Sequence, residues 1–365
     1  MSRTLSEKDI ERWLRENDED RLNELWTLAD ETRRANVGDN IYLRGLVEFS
    51  NCCSRQCGYC GLRSGNKHIT RYRMSEDQIL DIVQVISALG ISTVVLQSGE
   101  DYAFDGARVA KLIRNIRERF DIAITLSLGE RRQEELVLWR TLGADRYLLR
   151  FETSNRSLFN QIHPPHKTRR ADRIALLHVL RELDYEVGSG IMVGIPGQTM
   201  KDLVRDLLLM RELDLDMIGI GPYLPHPSTP LGKQHETIMS QTPDQVPNTA
   251  LMTCKVLALA RLLCPFANIP STTALSTLDQ EHGRELGLLR GANIVMPDFT
   301  PSPYREAYEI YPGKSGSKKA DGMKSILLDL ENRIESIGRH IGKGRGDSPA
   351  WQRRCERNGD VTEVH

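Results

Sequence analysis

The chain has 365 residues, enough for one large α/β barrel or two smaller domains. Hydrophobic residues make up 39% and charged residues 27%, the balance of a soluble globular enzyme. Lys and Arg total 49 against 50 Asp and Glu, and so neutral a chain is poorly suited to coating nucleic acid or an anionic membrane. The polar amino terminus, MSRTLSEKDIERWLRENDED, has no apolar h-region, and no apolar run is long enough to span a bilayer, so a cytoplasmic protein is expected. Residues 1–40 read as a helical extension, with Ile10, Trp13 and Leu14 at helical spacing behind a Ser6 cap. Strand-like apolar runs then follow at 46–50, 92–98, 122–128, 146–152, 188–194, 217–224, 267–272 and 292–298. Amphipathic helical segments such as EDQILDIVQVISALG and MKDLVRDLLLMRELD separate them. Apolar strands alternating with helices predict an α/β fold with a parallel sheet covered by helices. The count of eight favours a complete (β/α)8 TIM-type barrel over residues 41–312, with an open doubly wound sheet as the competing arrangement. Residues 313–365 are expected to add a C-terminal helix and a polar tail that is mobile from about 340.

The chemistry concentrates in SNCCSRQCGYCGLR, residues 50–63, which holds four of seven cysteines. In a reducing compartment clustered thiols point to metal ligation or catalysis before disulfides. Cys53, Cys57 and Cys60 form C-x3-C-x2-C just after the first long strand, where the loops of such folds carry their sites. Structural zinc normally takes two separated pairs of ligands, and no second pair follows. A thioredoxin-type C-x-x-C would leave Cys53 unexplained. Three thiolates can hold three irons of a [4Fe–4S] cluster and leave the fourth iron open. Adjacent residues on an extended chain face opposite ways, so Cys52 reads as a non-ligand. Cys254 and Cys264 read as packing.

Polar residues mark the predicted strand ends: Gln97, Ser98 and Glu100, then Thr125 and Ser127, then Arg150 and Glu152. Arg150 and Glu152 share a strand face, so the guanidinium could hold a substrate carboxylate or the two could form an internal pair. GSGIMVGIPGQT lacks the Gly-Lys-Ser/Thr ending of a phosphate loop, and Gly188 and Gly190 are expected to let backbone approach an adenosyl group or to flatten a strand. His163, His166 and His226 sit in Pro-rich loops and read as solvated.

With Tyr59 directly before the third cysteine, the motif resembles the radical S-adenosylmethionine (SAM) signature. RGLVEFSN, RYRM, LQSGED, GADRYLLRFETSN, DMIGIGPYLPHPSTPL, NIPSTTAL and GANIVMPDFTPSPYREAYEIYPGK extend the likeness over residues 44–314. Together they are similar to the HydE family of [FeFe]-hydrogenase maturases. Biotin synthase and methylornithine synthase share the cluster motif, but LQSGED with PHPSTPL and TPSPYR is closer to HydE. The resemblance implies one [4Fe–4S] cluster on Cys53, Cys57 and Cys60, and SAM held near Tyr59 by Glu152 and Arg173, with Gly188 and Gly190 close to it. It implies a substrate cavity lined by Gln97, Ser98, Thr125, Arg150, Thr272 and Thr273, with Arg44, Met217, Met296, Tyr308 and Tyr311 at further positions. The implied substrate is a cysteine-bound iron carrying CO and cyanide, with HydG before and HydF after in the sequence and an external electron donor. A HydE-like paralogue acting on an amino acid, an RNA-modifying radical SAM enzyme and a non-catalytic metal-binding module are the competing readings. Two departures stand out: Phe151 occupies a position commonly His in HydE, and SGSKKADGMKS after YPGK carries no cysteines, so no second cluster is expected.

Overall fold

The strand-forming runs assemble as their alternation with helices predicts. The computed structural model describes residues 5–166, 172–314 and 323–357. Its strands are β1 (Asn40–Leu43), β2 (Gly45–Ser50), β3 (Thr93–Ser98), β4 (Ala123–Ser127), β5 (Arg146–Leu148), β6 (Glu186–Val193), β7 (Met217–Pro222), β8 (Ile294–Val295) and β9 (His340–Ile341). Strands β2 to β7 form a six-stranded sheet in chain order with every pair parallel. Helices such as Glu76–Ala88, Gly106–Arg119 and Met200–Glu212 carry the chain between strands, and their apolar faces bury Ile79, Val83, Ile113, Leu203 and Leu207 in one continuous core.

The predicted strands at 267–272 and 292–298 are mostly reduced to single contacts. Pro270 has no N–H to give to a ladder, so its segment joins its neighbours by bridges at Met217–Asn268 and Pro270–Ile294. A further bridge links Leu46 of β2 to Asp298. The short β8 instead pairs with β1, which in turn pairs with β9, and neither β1 nor β9 is anticipated from the sequence pattern. Strand β5 ends at Leu148, short of the predicted 152, and Glu152 four residues on has φ of 61°, a conformation a ladder cannot continue.

The helical extension behaves as expected. Ser6 caps helix Glu7–Arg15 in a capping box with Asp9, and the helix buries Ile10, Trp13 and Leu14. With helix Glu19–Val37 it covers helix Ala250–Leu263, whose residues from Met252 to Ala260 are all buried for that reason. Cys254 and Cys264 lie in this packing, as read from the sequence.

The carboxy-terminal segment differs from the mobile tail expected of it. Beyond β9, residues 345–348 close the amino-terminal end of the sheet: Arg146, fully buried at the start of β5, bonds Glu186 at 2.5 Å, Asp347 and the Arg345 carbonyl. Ser348 N–H donates to Glu186 Oε1, and Asn268 donates to the Gly346 carbonyl at 2.9 Å. A Gly-rich, charged composition reads as disorder only while its charges are solvated; here buried partners take them up. Arg146→Ala would leave Glu186 buried with its main partner gone, and is expected to cost about 3–5 kcal/mol in urea denaturation. A loss below about 1 kcal/mol would mean that the tail ions carry no stability.

Candidate cluster and cofactor site

The cysteine loop leaves the carboxyl end of β2 and is held on all sides by backbone. Ser54 N–H donates to Glu100 O, Gly58 N–H to Ile162 O at 2.7 Å and Gly61 N–H to Ile310 O at 3.0 Å. Arg71 gathers the carbonyls of Asn51, Leu62 and Arg63, each within 2.8 Å. Two glycines are required by close approach. A methyl at Gly99 would stand 2.3 Å from the Cys52 carbonyl oxygen, and one at Gly61 would stand 2.1 Å from that of Glu309.

Cys57 is buried, while Cys53 and Cys60 are half-buried. Burial raises the Cys57 thiol well above its ordinary range, and the charges of Cys60 and Cys53 raise it further. Burial and then Cys53 push Cys60 up to about 12. Burial also raises Cys53, so all three thiols lose their protons more readily only when a positive centre offsets that burial. Among the described residues they do not converge within the 4.8 Å that one ion's ligands would need. A multi-iron cluster spaces its thiolates more widely than a single ion does, and three thiols set apart on one loop are compatible with that donor set. Cys52 turns its Sγ to the Tyr72 carbonyl, 3.6 Å away.

Beside the thiols, Tyr59 OH donates to Glu152 Oε1 at 3.4 Å, and Arg150 Nε donates to Glu152 Oε2 at 3.1 Å. The internal Arg150–Glu152 pair considered from the sequence is therefore formed, and Arg150 also donates to the Ile191 carbonyl at 2.5 Å. The left-handed conformation of Glu152 turns its carboxylate to these partners, and such strain in a non-glycine residue clusters at functional sites.

A buried ionic network backs the loop. Arg55, between the first two ligand candidates, pairs with Glu130 at 3.1 Å and Glu100 at 3.6 Å. Arg173 pairs with Glu130 at 3.0 Å and Glu100 at 3.4 Å, and donates to the Arg150 carbonyl at 2.7 Å. Burial alone would raise Glu130, but the charges of Arg173 and Arg55 and the hydrogen bond from Arg173 outweigh it and hold the carboxyl at about 2. His163 is not solvated as the Pro-rich loop suggested. It is 1% exposed, with Nδ1 at 3.0 Å from Cys57 Sγ, and burial followed by the charge of Arg173 lowers its pKa to about 4. His226 is likewise buried, against Gly61. The sequence reading missed Arg55, Glu130 and His163 as site residues, and the one available signal was two acidic residues, Glu100 and Glu130, each just past a strand. A cavity of about 250 Å³ lies on the outer side of this network, lined by Arg55, Phe159, His163 and Arg173 among others.

The remaining candidates fall into separate groups. Register aligns Glu48, Gln97 and Ser127 in one layer near the carboxyl ends of β2, β3 and β4. Gln97 donates to Glu48 Oε1 at 3.3 Å and lies beside Tyr308. Lys314 pairs with Glu48 at 2.5 Å, while burial pushes the Glu48 carboxyl up to about 8 against that cation's pull. Glu48 and Lys314 are further residues that sequence reading passed over. Tyr311 lies beside Thr277 and Thr273, and burial followed by the charge of Glu48 raises its hydroxyl. Thr272 caps helix Thr273–Leu278 and donates to the Ile220 carbonyl. Met296 is half-buried, and Ser98 donates to the Gly99 carbonyl. Thr125 Oγ1 is buried without a hydrogen-bond partner, the state of a hydroxyl aimed at a ligand. Arg44 and Met217 meet each other at 2.7 Å, but at the amino-terminal end of the sheet, where Arg44 also donates to the Gly346 carbonyl. Gly188 and Gly190 agree with the strand-flattening alternative: a methyl on Gly188 would stand against Met217, and one on Gly190 against the Gly219 carbonyl, so close packing of β6 on β7 requires both.

Residues 47–210 match the family model of the radical SAM superfamily. The chain is 43% identical over 322 residues to the [FeFe] hydrogenase maturase subunit HydE of Thermotoga maritima, covering 88% of each chain. This chain belongs to the HydE family. It is a radical SAM enzyme of the HydE maturase type. More distantly, it is 27% identical to 3-methylornithine synthase of Methanosarcina acetivorans over 96% of this chain and 92% of that one. Among solved structures its fold is like that of methylornithine synthase PylB, with a TM-score of 0.76 at 22% identity over 93% and 95% of the two chains. It is also like that of the maturase HydG, with a TM-score of 0.74 at 17% identity over 99% and 75%. Among the described residues no helix is long and apolar enough to cross a membrane.

Glu130→Gln removes one charge that two buried guanidinium groups share, and is expected to destabilise the protein by about 3 kcal/mol at neutral pH. The folded carboxyl, at about 2, lies below its ordinary 4.5, so its stabilisation is complete above 4.5 and is lost as pH falls toward 2. The gap between wild type and variant in denaturation should therefore close over that window; a gap independent of pH would contradict the assignment.

Proposed function

We propose that this chain is a cytoplasmic HydE-type maturase that uses one [4Fe–4S] cluster and SAM to act on a cysteine-bound Fe(CO)2(CN) substrate in assembly of the [FeFe]-hydrogenase di-iron subcluster. The observation that carries the reading is the set of three thiols at C-x3-C-x2-C spacing on one braced loop in a HydE-family chain. The bridges at Leu46–Asp298, Met217–Asn268 and Pro270–Ile294 support a ring of eight parallel segments, the complete (β/α)8 barrel of the sequence reading. In this reading Cys53, Cys57 and Cys60 ligate the cluster and Cys52 does not.

When bound, the cluster with SAM on its open iron supplies one electron to the sulfonium and so a 5′-deoxyadenosyl radical. The residues of this chain orient and shield that chemistry. The Glu152 carboxylate, offered by a strained backbone and already accepting from Tyr59 and Arg150, accepts from polar hydrogens of SAM. Arg173 pairs with Glu130 and Glu100 and donates to the Arg150 carbonyl, so besides helping to hold SAM it positions the strand end that carries Arg150 and Glu152. Thr125 Oγ1, lacking a protein partner, is free to bond the substrate, and Gln97 with Tyr308, and Thr273 with Tyr311, supply polar walls. The amino-terminal end is closed by residues 345–348, so substrate enters from the carboxyl end and water does not pass through. HydG is the source of the substrate, HydF the recipient of the product, and an external donor supplies the electron. One cluster is the expected content; of the cysteine-free segment SGSKKADGMKS (315–325) on which that expectation rests, residues 315–322 lie outside the described residues.

The likeness to methylornithine synthase favours a second reading, a HydE-like paralogue that acts on an amino acid. Anaerobic complementation separates the two. Added to a maturation mixture lacking only HydE, the loaded protein is expected to restore hydrogenase activity; failure with a full cluster would favour the paralogue. Replacing Cys53, Cys57 and Cys60 by Ser together is expected to abolish 5′-deoxyadenosine formation from SAM, whereas Cys52→Ser should retain it.

A further inference from the structure

We infer that His163 donates a hydrogen bond from Nδ1 to the sulfur of Cys57 and so raises the reduction potential of the cluster, an inference that rests on the ligand assignment proposed above. The two side chains meet at 3.0 Å, both buried. The tautomer follows from the other face of the ring. Nε2 lies against the guanidinium of Arg55 and 3.2 Å from Nη2 of Arg173, and a guanidinium can only donate. Nε2 must accept, which leaves the proton on Nδ1, facing sulfur. Glu130 Oε1, 3.2 Å from Nε2, is the acceptor that would favour the opposite tautomer, but it already accepts from Arg55 Nη2 at 3.1 Å and Arg173 Nε at 3.0 Å.

The imidazole is also fixed in place. His163 ends helix Arg156–Ile162, its N–H donates to the Phe159 carbonyl at 2.7 Å, and its ring lies over the Phe159 ring with centroids 4.9 Å apart. The preceding carbonyl, of Ile162, accepts from Gly58 N–H, the residue after Cys57, so the donor and the sulfur are tied by backbone one residue away on each side. One-electron reduction adds negative charge to the cluster and its thiolates. A fixed N–H aimed at one of those sulfurs stabilises the reduced form more than the oxidised form, and the potential rises. His163 is thus a positioning residue that sets how readily an external donor reduces the cluster, and it comes from a segment outside the cysteine motif.

The test compares wild type, His163→Asn and His163→Leu after anaerobic reconstitution, with iron content measured first. Asn places an amide N–H near the Nδ1 position, and Leu places none. EPR-monitored redox titration is expected to give a midpoint potential near wild type for His163→Asn and a clearly more negative one for His163→Leu. Pulsed EPR of the reduced wild-type cluster with 15N-labelled histidine is expected to show a nitrogen coupling that His163→Asn abolishes. This second measurement decides the matter even if the Leu variant does not fold. An unchanged potential in fully loaded His163→Leu, or no histidine nitrogen coupling in the wild type, would overturn the inference. A wild-type chain that takes up no cluster would instead overturn the ligand assignment, which keeps the two failures apart.

Discussion

Two buried guanidinium groups and two buried carboxylates behind Cys57 are the constraint on which the site depends. Arg55, Arg173, Glu100 and Glu130 come from the cysteine loop, the start of a helix and the ends of two strands. Charges buried to this degree persist only when each is paired, so the four segments must arrive together or not at all. The loop that carries the thiols is thereby fixed to the carboxyl ends of β3 and β4 by electrostatics as well as by its backbone bonds. Burial raises all three thiols, which disfavours a free nucleophilic thiolate and favours ligation to a positive centre.

A second ionic group closes the opposite end. Arg146, Glu186 and Asp347, with Arg44 beside them, pin the carboxy-terminal segment across the start of the strands. Burial and then the charge of Arg146 lower the Arg44 guanidinium to about 9, and its Nε has no partner, so this end carries polar groups under strain as well as a seal. The chain therefore has one polar, partly unsatisfied interior between two charge-braced ends. Glu48, Gln97 and Lys314 fill its upper layer, and the open hydroxyl of Thr125 lies on the same face of β4 as Ser127 in that layer.

What was legible in the sequence is what lies contiguous along it. The cysteine motif, the six strands of the main sheet, the amino-terminal helices and the Ser6 cap all depend on residues a few positions apart, where periodicity and spacing speak directly. The network around Cys57 was not legible as a network, because Arg55, Glu100, Glu130, His163 and Arg173 are spread over more than a hundred positions and only the fold brings them together. His163 was misread for a related reason: Pro-rich flanks suggest exposure, but the helix end beside them turns the ring inward onto Cys57. The tail was misread because its composition resembles disorder when its buried partners, Arg146, Glu186 and Asn268, are not in view. Gly188 and Gly190 were open to a cofactor reading or a strand-flattening one, and the tight approach of β6 to β7 supports the second.

The central claim is that three thiolates leave one iron of a cluster open for SAM. ENDOR spectroscopy of the reduced, reconstituted protein with SAM labelled with 15N at its amino group tests it most directly. The account predicts a nitrogen hyperfine coupling, appearing on SAM addition, of the size expected for a ligand bound to iron. A fully loaded cluster whose spectrum is unchanged by labelled SAM would contradict it.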